Sequence, residues 1–227
     1  MGPSPLSGRL RARLLVFDLD GTLVDSKDDI ADALNRALGI MGYAPLPLSV
    51  IGAFVGNGVN PLIARTVQAA GHPEREGDLR ELFRDLYAEG LLNKTTLFPG
   101  VAETLARLAG RFRMGLITNK PIRFTRPIVE GLGLAPLFGD AVYGGDSLPV
   151  GKPDPASFFA LAKACGVDPA NAVMVGDSAV DVLTAKNAGA ASVGVTYGFR
   201  DRAELVEAGV DAVIDRFADL ETVVEEG

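Results

Sequence analysis

The chain of 227 residues is 48% hydrophobic and carries 29 acidic against 22 basic side chains, a formal net charge of -7. That apolar share builds a core for one domain or two small ones, and an acidic balance with no Lys/Arg block excludes a nucleic-acid partner. No apolar run approaches the roughly 18 residues of a membrane helix, so the expectation is a cytoplasmic protein without a membrane partner.

Residues 1–13, rich in Pro, Gly, Ser and Arg, lack the apolar centre of a signal peptide and read as a flexible leader. Met1-Gly2 is followed by Leu6 where a myristoylation signal requires Ser or Thr. The run 14–17 then has the pattern of a short buried strand. It ends in Asp18-Leu19-Asp20-Gly21-Thr22, two acids one residue apart at a strand end, where open α/β sheets place their ligands. An Asp-Gly turn accounts for the same residues equally well at this point.

From Ile30 to Met41 apolar residues recur at helical spacing, and Pro45 and Pro47 break the pattern. Two more helices are predicted over 62–70 and 79–92, with one short strand-like run over 50–55 between the first helix and these. After Phe98-Pro99-Gly100 the texture changes. Short apolar runs at 114–118, 141–143, 172–175, 192–195 and 212–214 alternate with helical segments, the signature of a parallel sheet with right-handed crossovers. The predicted fold class is therefore α/β: a Rossmann-like parallel sheet core over 1–24 and 98–227, with an inserted α-helical cap domain over 25–97. Insertions placed after an acid-bearing strand tend to act as lids.

Three more segments fall at the ends of predicted elements. Thr118-Asn119-Lys120-Pro121 follows a strand and is also an ordinary helix cap. Gly151-Lys152-Pro153-Asp154-Pro155 fixes a lysine ahead of a helix and is also an ordinary turn. Gly176-Asp177-Ser178, with Asp181 three residues beyond, brings two further acids to a strand end. Oxygen donors without His or Cys suit Mg²⁺ rather than zinc. His72 and Cys165 have no partner motif and read as a surface residue and a packed thiol. Neither a calcium loop at Asp18, a Walker loop at Gly151-Lys152, nor a dinucleotide fingerprint at Gly56 keeps its required glycines or hydroxyl.

Taken in order, Asp18-x-Asp20-Gly21-Thr22, Thr118, Lys152 and Gly176-Asp177-Ser178-x-x-Asp181 resemble the four motifs of the haloacid dehalogenase superfamily. Thr118-Asn119-Lys120-Pro121, Gly144-Gly145-Asp146-Ser147 and Gly194-Val195-Thr196-Tyr197-Gly198 are similar to its bacterial phosphoglycolate phosphatases. The resemblance implies an Mg²⁺-dependent phosphatase acting on a small phosphorylated metabolite through an aspartyl-phosphate. It makes Asp18 the nucleophile, Asp20 the proton carrier, and Thr118 and Lys152 the holders of the phosphoryl group. Asp18, Asp177 and the Asp20 carbonyl would take the metal, with Ser178 and Asp181 behind them. Gly21, Thr22 and Asn119 would line the substrate, and Arg65 in the cap would read a substrate carboxylate. Core motifs leave another small-metabolite phosphatase, a pyrophosphatase, a sugar phosphomutase and a non-catalytic binding module as alternatives. They also leave the oligomeric state open between monomer and homodimer.

Overall fold

The structure, a computed structural model, describes residues 8–227. In chain order it runs β1 (Leu10–Ala12), β2 (Leu14–Phe17), β3 (Val24–Asp25), α1 (Lys27–Ile40), α2 (Leu48–Gly52), α3 (Val59–Ala69), α4 (Glu76–Glu89) and β4 (Thr96–Leu97). It continues through α5 (Val101–Leu108), β5 (Arg113–Ile117), α6 (Ile122–Gly131), α7 (Ala135–Phe138), β6 (Val142–Tyr143), α8 (Ala156–Ala164) and β7 (Ala172–Gly176). The last elements are α9 (Ala179–Ala188), β8 (Ala191–Val195), α10 (Arg202–Ala208), β9 (Ala212–Ile214), α11 (Leu220–Val223) and β10 (Val224–Glu226).

Six strands form one parallel sheet in the order β6-β5-β2-β7-β8-β9. β2 is buried at every residue because helices cover both faces, which is why its sequence is an unbroken apolar run rather than an alternating one. Leu15 and Phe17 pack to one side with Leu116, Val173 and Val175, while Leu14 and Val16 pack to the other with Met174, Phe158 and Leu161. Phe17 sits 6.1 Å from the Phe138 ring and 6.0 Å from that of Phe217. Truncating it to Ala would cost about 3–5 kcal/mol.

Register decides what happens above the sheet. Phe17 pairs with Leu116 on β5 and with Val175 on β7. The residues that immediately follow β2, β5 and β7, namely Asp18, Thr118 and Asp177, therefore emerge side by side at one edge.

Between β3 and β4 the chain builds the helical insertion. Ile30, Leu34, Leu38, Leu62, Ile63, Leu79 and Phe83 form its own apolar core, the helical spacing turned inward. Phe124 of α6 joins that core from the main domain, its ring 5.1 Å from Tyr87 and nearly perpendicular to it. The departing and returning segments pair antiparallel, Val24 with Leu97 and Asp25 with Thr96, so the expected cap limits fall on a two-stranded ribbon. Asp29 secures it, its buried carboxylate accepting from the backbone N–H groups of Lys94 and Thr95 and from the Thr95 hydroxyl.

Two expectations change. Within the supposed leader, Leu10–Ala12 is a strand, paired parallel with Val224–Glu226, and Ala12 is buried. Its first seven residues lie outside the described part. Of the strand-like run over 50–55, the short helix α2 takes 50–52 and a turn takes 53–55. The run's buried residues are Ile51 and Val55, four apart, a helical spacing and not the alternation of a strand.

Candidate active site

Asp18 leaves β2 with its N–H donating to the Val175 carbonyl at 3.0 Å, which pins the start of the loop to the neighbouring strand. Its Oδ1 accepts from the Leu19 N–H at 2.7 Å and lies 2.9 Å from Lys152 Nζ. The same ammonium donates to Asp181 Oδ1 at 2.6 Å. Asp181 in turn caps α9, its Oδ2 accepting from the N–H and hydroxyl of Ser178. Lys152 is thus held between an acid at the end of β2 and one in the first turn of α9, 6% exposed.

Oxygens of Asp18, Asp177 and Asp181 converge within 4.8 Å of one another. Burial pushes the Asp18 carboxyl up to about 7, with repulsion from Asp181 and Asp20 adding to it and Lys152 opposing it. Asp177 is raised well above the usual carboxylate range, first by burial and then by Asp181 and Asp18, against the Phe199 N–H that donates to its Oδ2. Backbone approaches Asp177 closely on two sides. A Cβ at Gly21, whose φ is +84°, would stand 2.3 Å from Asp177 Oδ2, and one at Gly198 would stand 2.4 Å from Asp177 Cβ.

Asp20 is placed differently. Its carboxylate turns away from that cluster, accepting from Ser26 Oγ at 2.6 Å and from Lys120 Nζ at 2.8 Å on each oxygen. Asp18, Asp20, Asp177 and Asp181 are all buried, and the buried ammonium groups facing them are Lys120 and Lys152. Four ionised carboxylates against two cations would leave two negative charges uncovered in a water-poor pocket, a cost that holds protons on Asp18 and Asp177 while nothing else pairs them. A divalent, oxygen-seeking cation fits that deficit and that donor set.

Thr118 is buried beside Asp18 and Asp20, and its Oγ1 accepts from the Lys120 N–H. Asn119 uses its side-chain Nδ2 on the Lys152 carbonyl at 3.1 Å, so it anchors the lysine loop instead of turning its amide to the acids. Thr22 is buried, and its carbonyl accepts from the Tyr197 hydroxyl. Arg65 does not join the site. Half-buried on α3, it lines neither of the two crevices flanking the acids, whereas Leu62, one turn earlier, does. Asp181, expected behind the metal ligands, stands within the acid cluster, although Lys152 and Ser178 occupy its oxygens.

Lys120, Ser26 and Tyr87 carry contacts that motif reading leaves unassigned. For Lys120 a signal exists: side chains two apart in extended chain share a face, so the residue two beyond Thr118 turns the same way. Above Asp18 and Asp20 the helical insertion forms one wall of a narrow crevice lined by Ile30, Val55, Val59, Leu62, Phe83 and Tyr87.

A model of the haloacid dehalogenase-like hydrolases matches residues 12–189. The phosphoglycolate phosphatase of Psychrobacter arcticus is 38% identical over 218 residues, covering 92% of this chain and 94% of its own. That of Vibrio parahaemolyticus is 40% identical over 220 residues, covering 93% and 96%. The crystal structure of a predicted phosphoglycolate phosphatase from Haemophilus somnus superposes with a TM-score of 0.88 at 34% identity, over 93% of this chain and 97% of that one.

Proposed function

Because the chain belongs to the haloacid dehalogenase-like hydrolases, we propose that it is a cytoplasmic, Mg²⁺-dependent phosphatase that hydrolyses 2-phosphoglycolate to glycolate and phosphate. The observation that carries the reading is Asp18: a buried carboxylate at the end of a central strand, 2.9 Å from a buried lysine, at the foot of a narrow crevice under the helical insertion.

In this reading Asp18 attacks phosphorus in line with the ester oxygen, forming an aspartyl-phosphate and releasing the alkoxide. Lys152 and Thr118 hold the phosphoryl oxygens as charge redistributes in the transition state. Asp20 gives the leaving oxygen its proton and then takes one from the water that cleaves the aspartyl-phosphate. Such proton transfer contributes about 10² to 10⁴ in rate. Ser26 and Lys120, both on the Asp20 carboxylate, fix its direction. Asp18, Asp177 and the Asp20 carbonyl would hold Mg²⁺, which supplies charge neutralisation between an anionic nucleophile and an anionic ester. Phe199, Gly21 and Gly198 keep Asp177 in place for that duty.

The test is phosphate release from a panel of small phosphorylated metabolites, with Mg²⁺ and with chelator. The expected result is a kcat/KM for 2-phosphoglycolate well above the other esters, abolished by chelator and by Asp18→Asn. Pyrophosphate or a sugar phosphate leading the panel would overturn the substrate, and turnover by Asp18→Asn would overturn the mechanism.

A further inference from the structure

We propose that Lys120, with the Tyr87 hydroxyl opposite it, is the pair that reads the carboxylate of the substrate; the proposal rests on 2-phosphoglycolate being that substrate. The crevice between the acids and the cap is apolar over most of its wall, and Ile30, Val55, Val59, Leu62, Phe83 and Phe124 offer a carboxylate nothing. Its polar groups gather at one end, where Asp18, Asp20, Thr118, Lys120 and Tyr87 meet. Among the residues lining it Lys120 is the only cation.

The other buried ammonium at the site bridges two acids on the far side of the nucleophile from the crevice lining. Lys152 lies against Asp18 and Asp181, on the side where the phosphoryl group is transferred. Lys120 lies on the cap side of Asp20, with Nζ 2.8 Å from each carboxylate oxygen and 5.0 Å from the centre of the Tyr87 ring. An ammonium carries three donors, and the Asp20 pair does not exhaust them. The Tyr87 hydroxyl is buried beside the Lys120 ammonium, which can only donate to it, and its own O–H has no acceptor among the described residues. A buried donor left so is costly, and a carboxylate set against both groups would accept from each.

The chemistry of the substrate suits that spacing. In 2-phosphoglycolate the carboxylate carbon is three bonds from phosphorus, so a phosphoryl group at Asp18 leaves the carboxylate within the same small crevice, on the side away from Lys152. The cap arginine expected from sequence is not there. Arg65 does not line the crevice, and Arg80 and Arg123 line the adjoining opening beside Asn119 and Lys152, which shares Gly58 and Val59 with it. Reading by buried donors also carries discrimination: an ester with a methyl group in place of the carboxylate would leave the phenol O–H desolvated without an acceptor and Lys120 with Asp20 alone.

The experiment compares kcat/KM for 2-phosphoglycolate and for ethyl phosphate, its analogue lacking the carboxylate, in wild type, Lys120→Met, Lys120→Arg and Tyr87→Phe. Loss of the Lys120 contact to Asp20 lowers turnover of both substrates, so the ratio between them is the informative quantity. Wild type is expected to favour 2-phosphoglycolate by about 10³ or more, as buried polar recognition permits. Lys120→Met should bring the ratio within about tenfold of unity, Tyr87→Phe should lower it about tenfold, and Lys120→Arg should recover part of it. Glycolate, a carboxylate without phosphate, should inhibit wild type more strongly than Lys120→Met. A wild-type enzyme without preference would sink the substrate reading itself. A wild-type preference that survives Lys120→Met would overturn only the assignment to Lys120. Should that variant fail to fold, an unchanged ratio in Tyr87→Phe would overturn the proposal instead.

Discussion

Replacing Gly21 with Ala separates backbone strain from the placement of Asp177. The new Cβ would lie 2.3 Å from Asp177 Oδ2, where ordinary contact begins at 3.4 Å, so the carboxylate must withdraw by about 1 Å. It has nowhere to go: the Phe199 N–H holds Oδ2 at 2.6 Å, and Gly198 crowds the same side chain from the far side. The φ of +84° adds roughly 1–2 kcal/mol of strain for any residue with a Cβ. A matched control exists in Gly42, with φ +83° and nothing within 4 Å of its would-be Cβ. Both variants should therefore melt a few degrees below wild type, at about 2–4 °C per kcal/mol for a chain of this size. Only Gly21→Ala should also lose function. A displaced ligand costs about 10–100-fold in metal affinity, and an ångström of misplacement about 10² in rate. Thermal melts, an Mg²⁺ titration of phosphate release and calorimetric Mg²⁺ binding measure the three quantities. Equal Mg²⁺ half-saturation in Gly21→Ala and Gly42→Ala would refute the assignment of Asp177 to the metal.

Asp29→Ala removes a buried acceptor from two backbone N–H groups and a hydroxyl, which should cost about 3 kcal/mol and speed amide exchange selectively at Lys94 and Thr95. Unchanged protection there would contradict the idea that Asp29 ties the ribbon. Arg200, from the core, donates to the Ala53 and Val55 carbonyls of the cap; Arg200→Ala should raise KM several-fold and hasten proteolytic cleavage over 53–58, and equal cleavage rates would count against a latch. The metal-free protein should lose stability as pH rises. The Asp18 carboxyl titrates near 7 in the fold and at its usual 3.8 in the unfolded chain, so between those values the folded state holds the proton more tightly and deprotonation is unfavourable to it. The loss is at most about 4 kcal/mol from this group, and the raised Asp177 acts in the same direction. Melts in chelator at pH 5 and 7.5 measure it; a flat profile, or a slope undiminished in Asp18→Asn, would refute the cause.

What could be read from sequence divides by the distance over which each feature is decided. The three strand ends were legible because each is local: an apolar run terminates, a polar residue follows, and parallel register then aligns Asp18, Thr118 and Asp177 without further information. The cap helices were legible for the same reason, since a 3.6-residue period is visible within one segment. Leu10–Ala12 was not, because three residues carry no period, and the strand exists only where Val224–Glu226 lies beside it. Nor were the partners of the two lysines. Lys152 meets Asp181 across 29 positions and Lys120 meets Asp20 across 100, and no spacing rule announces either contact. Arg65 is the converse case: its charge was legible but its neighbours were not, and it is Leu62 of α3 that lines the crevice. The core of this site is thus fixed by where strands stop, and recurs wherever they stop in the same register. The cap side depends on which side chains meet across the opening, and there Lys120, core-borne but facing Tyr87, is where proton transfer at Asp20 and the choice of substrate would have to come together.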